Sequence, residues 1–151
     1  MILLSRRGQL ALAAVADIAI HARPTPVAAK ALAARLALPP RHLEALLQSL
    51  VHANILKGVR GPRGGYELAR ERRRITAASI LRAVSSAAGG DPGEAPDCLL
   101  VRQVVAPIVE AAGKVFLDKL ETITIDDICR RAEDLKLCDE KGVAAGADFT
   151  I

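Results

Sequence analysis

Apolar residues recur at helical spacing along the first half of this chain, in three runs separated by proline-bearing breaks. From Arg7 to His21, the residues Leu10, Val15, Ile18 and Ala19 keep an approximate helical period, and Asp17 is expected to face away from the core. Arg23-Pro24-Thr25-Pro26 stops that helix. A second helix is predicted over residues 27–36, with Val27, Leu32 and Leu36 inward. Ala37 to Pro39 make a turn. Pro40 then opens a third helix, at a position where a missing N–H costs nothing. Leu43, Leu46, Leu47 and Leu50 form its buried stripe, which leaves Arg41, His42, Glu44 and Gln48 facing solvent or a groove.

The period then changes. Residues 55–59 and 66–69 have strand character, and Arg60-Gly61-Pro62-Arg63-Gly64-Gly65 lies between them as a tight hairpin tip. That tip carries two arginines and no acid. A rigid basic hairpin suits a narrow groove of negative potential such as the minor groove of DNA. Two short helices, a tight turn and a polar outer face on the second of them make a helix-turn-helix. With the hairpin directly after it, the pattern predicts a mainly α, winged helix-turn-helix fold with a small β-hairpin wing.

A basic segment, Arg70 to Arg74, leads to Thr76, which can cap a fourth helix over 77–86 with Ile80, Leu81 and Val84 inward. A Gly/Pro-rich stretch follows. Asp97 caps a long helix over 98–122, which Pro107 should kink or split. Apolar residues cover more than one face of this helix, so a second subunit is expected against it, making it a C-terminal dimerisation helix. Thr124, Asp126 and Asp127 open a last helix over 125–135. The expected organisation is a winged helix-turn-helix DNA-binding domain over 1–86, a loop over 87–97, the dimerisation and terminal helices over 98–138, and a flexible tail over 139–151.

Charge sharpens this picture. Residues 1–85 hold 14 Lys and Arg against 4 Asp and Glu, whereas residues 86–151 hold 7 against 13. The basic front half suits a polyanionic partner, here double-stranded DNA. Aromatic residues make up only 2% of the chain, which argues against a single-stranded nucleic-acid binder built on stacking platforms. Three scattered cysteines do not make a secreted disulfide scaffold and point to a reducing cytoplasm. Ser5-Arg6-Arg7-Gly8-Gln9-Leu10 resembles a twin-arginine export signal, but Asp17 interrupts the following apolar run, so export is not expected. No membrane span is expected either. Paired carboxylates, a nucleophile–base set and a phosphate loop do not stand out, so no enzyme activity is expected, and the histidines are not metal-spaced.

Three segments carry a family resemblance: Leu4 to Leu12, Leu43 to Leu56, and Val59-Arg60-Gly61-Pro62-Arg63-Gly64-Gly65-Tyr66-Glu67-Leu68. Through them the chain resembles the IscR/NsrR/CymR-type winged-helix transcription regulators over nearly its whole length. The resemblance implies a homodimer that binds operator DNA, usually as a repressor. It puts the third helix in the major groove, with Arg41, His42, Glu44 and Gln48 on the reading face, and Arg60 in the minor groove. Arg63 stands where many relatives have glycine, and its contact with DNA is inferred from this chain alone. Arg7, on the opening helix, joins the DNA-binding set.

The sensing segment departs from the family pattern. Iron–sulfur members carry three cysteines between the fourth and the long helix, and here residues 86–100 carry only Cys98. One thiolate does not hold a cluster, so no cofactor is expected and an iron–sulfur cluster is disfavoured. Cys98 in the first turn of a helix is a possible redox sensor, although Glu94 and Asp97 oppose the helix dipole there. An alternative reading is a redox or iron–sulfur sensor using Cys98 with Cys129 or Cys138. Another is a protein-interaction module whose acidic half docks on a metabolic enzyme. Cys129 also reads simply as a small buried apolar residue.

Overall fold

The computed structural model describes residues 5–87 and 99–137. Six α-helices and one antiparallel hairpin follow in the order α1 Arg6–His21, α2 Ala29–Arg35, α3 Pro40–His52, β1 Leu56–Val59, β2 Gly65–Leu68, α4 Ala77–Ala87, α5 Ala106–Glu121 and α6 Ile125–Asp134. Asp97, Cys98 and Cys138 lie outside the described residues, as does most of the expected 87–97 loop.

Helix α1 starts where the Ser5 hydroxyl accepts from the Gly8 amide at 3.1 Å. Its buried side contains Ala11, Ala14, Val15, Ile18 and Ala19, with Leu10 only half-buried. Asp17 does not face away as expected: it is buried beside them. The Arg35 guanidinium, at the end of α2, grips its carboxylate through Nε at 2.9 and 3.1 Å and through Nη2 at 2.8 Å. A fork-to-fork pair of this kind compensates the desolvation of the carboxylate. The polar residue that interrupts the apolar run is therefore the tie between α1 and α2.

Helix α2 is shorter than the predicted 27–36. Val27 stands before it in extended backbone and exchanges hydrogen bonds with Tyr66 of the wing, N to O at 2.9 Å and back at 2.8 Å. Between α2 and α3, Ala37 takes the left-handed conformation at φ 51°. The Leu38 amide reaches back to the Ala33 carbonyl at 3.0 Å, closing the helix end. Pro40 occupies the start of α3, and Leu43, Leu46, Leu47 and Leu50 are its buried residues, as the spacing predicts.

The hairpin pairs Leu56 with Leu68, Lys57 with Glu67, Gly58 with Tyr66 and Val59 with Gly65. Next, a 3-10 turn over Arg72–Arg74 leads into α4. The Thr76 hydroxyl caps α4 by accepting from the Ser79 amide at 3.1 Å.

The predicted long helix is helical from residue 99 through 121 and is not split. A π-helical turn over Val101–Val105 precedes Pro107. Proline has no N–H for the carbonyl four residues back, and the wider turn takes up that mismatch. Helix α6 returns to the first helices. The Ala77 amide donates to Ile123 O at 2.8 Å and the Ile125 amide to Ile75 O at 2.9 Å. Ile125 and Cys129 join the core built by α1, α3 and α4. The terminal helix thus shares the wing domain's core, and α5 has no buried residue.

Candidate nucleic-acid interface

The outer face of α3 follows from its inner face. With four leucines turned inward, Arg41, His42, Glu44 and Gln48 are all exposed. A surface concavity of about 480 Å³ brings Arg41, Glu44 and Gln48 together with Arg7 of α1, and adds Ala45 and Ser49. An adjoining one places Arg6, Arg7, Arg41 and His42 around an apolar floor that includes Leu10, Leu38 and Leu46. Two helices distant in sequence therefore present one basic, hydrogen-bonding surface. Arg7 is half-buried, and its Nε is enclosed without a hydrogen-bond partner among the described residues. Arg6 and Ser49 were not singled out from sequence. The adjacent Arg6-Arg7 pair was a signal for the first, and nothing in the pattern marks the second.

The wing tip is a separate projection. Its chain reversal is closed by the Gly64 amide donating to Gly61 O at 2.9 Å, with Gly61 at φ 119°. Arg60 and Arg63 stand exposed on either side of Gly61-Pro62, and neither has a side-chain hydrogen bond or ion pair among the described residues. The base of the hairpin is fastened more firmly: Lys57 and Glu67 pair across the strands at 2.8 Å, and Val27 holds Tyr66. The tip arginines are thus exposed side chains on a backbone held at its root.

Cys129 is fully buried, with Sγ 4.0 Å from Ala16 O. Among the described residues, no three His, Cys, Asp or Glu side chains converge as a metal site. No helix among them is long and apolar enough to cross a membrane.

A helix-turn-helix with an outward polar face, followed by a basic wing, defines a winged helix-turn-helix DNA-binding protein. The family of iron-dependent transcriptional regulators named Rrf2 matches residues 4–131, and the chain belongs to it. Among its relatives, IscR of Vibrio vulnificus strain YJ016 is 28% identical, covering 93% of this chain and 90% of its own length. The structure of T. potens IscR superposes with a TM-score of 0.70 at 31% identity, covering 91% of this chain and 93% of that one. The structure of CymR, the global cysteine regulator of B. subtilis, superposes with a TM-score of 0.63 at 25% identity, covering 84% and 95%. These relatives are transcription regulators and not enzymes, and the chain is a DNA-binding regulator of their kind.

Proposed function

We propose that this chain is a homodimeric, sequence-specific repressor that reads operator DNA without a resident iron–sulfur cluster. The observation that carries the reading is the joint surface of Arg7, Arg41, Glu44 and Gln48 on α1 and α3. In this reading α3 lies in the major groove. Arg41 and Gln48 donate to base edges or phosphates, His42 donates to a phosphate, and Glu44 accepts from an exocyclic amine. Arg7, on the same surface, adds positive charge toward the DNA backbone. Arg60 and Arg63 enter the neighbouring minor groove as the wing lies along it.

Dimerisation is supported by the face that α5 leaves uncovered. Val104 and Val105 of the preceding π-helical turn and Ile108, Val109 and Val115 of α5 are exposed in the single chain. A patch of this kind on a soluble protein marks an interaction surface. The clusterless reading rests on donors: residues 86–100 contain one cysteine, and Cys129 is shut inside the core. Recruiting Cys129 to a cluster or a disulfide would require opening the contact between α6 and α1.

The test begins with selection of a bound duplex from random sequence, followed by anisotropy titration at fixed salt. Arg60→Ala should weaken binding by about 1–3 kcal/mol and leave the far-UV circular dichroism unchanged. Unaltered affinity would remove the wing from the interface. Protein purified without air should contain no stoichiometric iron or sulfide; finding both would overturn the clusterless reading.

A further inference from the structure

A second basic surface lies away from the recognition helix, at the base of the wing. A cavity of about 570 Å³ opens between the C-terminal turn of α1, the root of the hairpin and the 70–74 segment. It shares no residue with α3, with the hairpin tip, or with the two concavities that gather Arg7 and Arg41. Its volume is that of a small-molecule site.

The lining has a clear chemical sense. Arg23, Lys57, Arg70, Arg72 and Arg74 contribute five cations, against the carboxylates of Glu67 and Glu71. Lys57 already neutralises Glu67 at 2.8 Å. Ile18, Ala22 and Leu68 supply an apolar floor. Two of the guanidiniums are held in place: Arg70 Nε donates to Asn54 O at 3.2 Å, and Arg72 donates to Ala19 O. The Arg72 contact also covers a carbonyl near the C-terminus of α1, which would otherwise repel an anion. Arg23 and Arg74 are exposed, and no side-chain hydrogen bond or ion pair engages them among the described residues. Fixed guanidiniums at the wall and two uncommitted ones at the rim suit a ligand with several charged oxygens.

We propose that this cavity is a binding site for a small, multiply charged oxyanion of the phosphate type, and that occupancy acts on the wing. Three wall positions, Lys57, Glu67 and Leu68, belong to the strands that carry the tip. A ligand that draws Lys57 from Glu67 changes the cross-strand pair that helps to fix the hairpin. The site goes beyond DNA reading, since it would give the regulator an effector other than a metal cluster. The same phosphate chemistry has two sources, a free oxyanion and the DNA backbone, and the experiment separates them.

Pyrophosphate is the probe, titrated into the full-length protein by calorimetry at constant ionic strength set with chloride. Saturable binding is expected, together with at least a tenfold loss of affinity in the double variant Arg23→Ala/Arg74→Ala. Neither side chain supports the fold, so its thermal melt without ligand should match the wild type. In the absence of pyrophosphate its affinity for the selected duplex should stay within about threefold of wild type. Absence of saturable heat, or equal affinity in the double variant, would overturn the proposal. A loss of duplex affinity as large as that of Arg60→Ala would assign the cavity to the DNA backbone and overturn it as an effector site. A failed operator selection would count against the DNA reading and leave the pyrophosphate titration interpretable.

Discussion

A methyl group on Gly65 would lie 2.3 Å from the Val27 carbonyl oxygen and 2.5 Å from its carbon, both backbone atoms. The glycine is what lets β2 approach the segment before α2 closely enough for Val27 and Tyr66 to exchange hydrogen bonds. Gly65→Ala should therefore cost about 1–3 kcal/mol by forcing that backbone apart. It should also weaken operator binding by misplacing the wing. Gly58→Ala is the control, because a methyl there meets nothing within 4 Å. Thermal melts of the two variants check the difference, and equal melting would contradict the packing argument. Asp17 makes the complementary case. It is 7% exposed and holds the Arg35 fork, so Asp17→Asn removes a charge from a mostly buried pair. A cost of about 2–3 kcal/mol in urea unfolding is expected, below that of a fully buried pair because Arg35 is partly exposed. Neither residue could be assigned from sequence. The glycine run predicts a turn but not the strand that crosses it. A lone acid in an apolar helix names no partner when that partner is 18 residues away.

Elements were more legible where one residue pattern fixes both type and face. The four leucines of α3 specify the helix, its inward side and, by subtraction, its exposed polar face. The start of α6 was similarly readable from Thr124 and the acids after it. The structure completes it as a reciprocal cap, in which the Asp127 amide donates to Thr124 Oγ1 at 3.2 Å and the Thr124 amide donates to Asp127 Oδ2 at 2.9 Å. The Asp127 carboxylate accepts from the Thr124 amide and, at 2.8 Å, from its hydroxyl, and these two bonds, the amide's first, hold the Asp127 carboxyl below its ordinary value. Glu121 is lowered in the same direction by hydrogen bonds from Arg82 and then Thr76, which join the end of α5 to α4. For both carboxyls the folded value lies below the unfolded one, about 3.9 for Asp and 4.3 for Glu. Their stabilisation is thus complete above those values and fades as pH falls through the folded ones. The melting temperature should drop as pH is lowered below about 4, and Asp127→Asn should flatten that part of the profile while lowering the plateau near neutrality. A profile unchanged by the substitution would mean that the cap does not act on stability. What the pattern did not reveal at this scale was the position of α6. Its contact with α1 depends on the backbone pairing of Thr76 with Thr124, which joins segments far apart in sequence.

At the scale of the whole molecule, the proposed dimer has to bring two recognition surfaces to one operator. Val101, Ile108 and Val115 are spaced seven residues apart, with Val104, Val105, Ala111 and Ala112 between them, which is the spacing of a helix–helix seam. Ile108 is 64% and Val115 70% exposed in the single chain. Two such helices packed along this seam would bury the face and hold two α3 helices at a fixed separation. That separation has to match half-sites about one helical turn apart, or a multiple of it. The full-length protein should run as a dimer in light scattering at micromolar concentration. Ile108→Glu and Val115→Glu should each give a monomer with wild-type helical content, because neither side chain contributes to the core of its own subunit. The monomer has only half the basic surface. Its duplex affinity should therefore fall less steeply with salt, the slope being roughly −0.9 for each phosphate neutralised. A monomeric wild type would overturn the dimer, and a glutamate variant that stays dimeric and keeps the full salt slope would move its interface off α5.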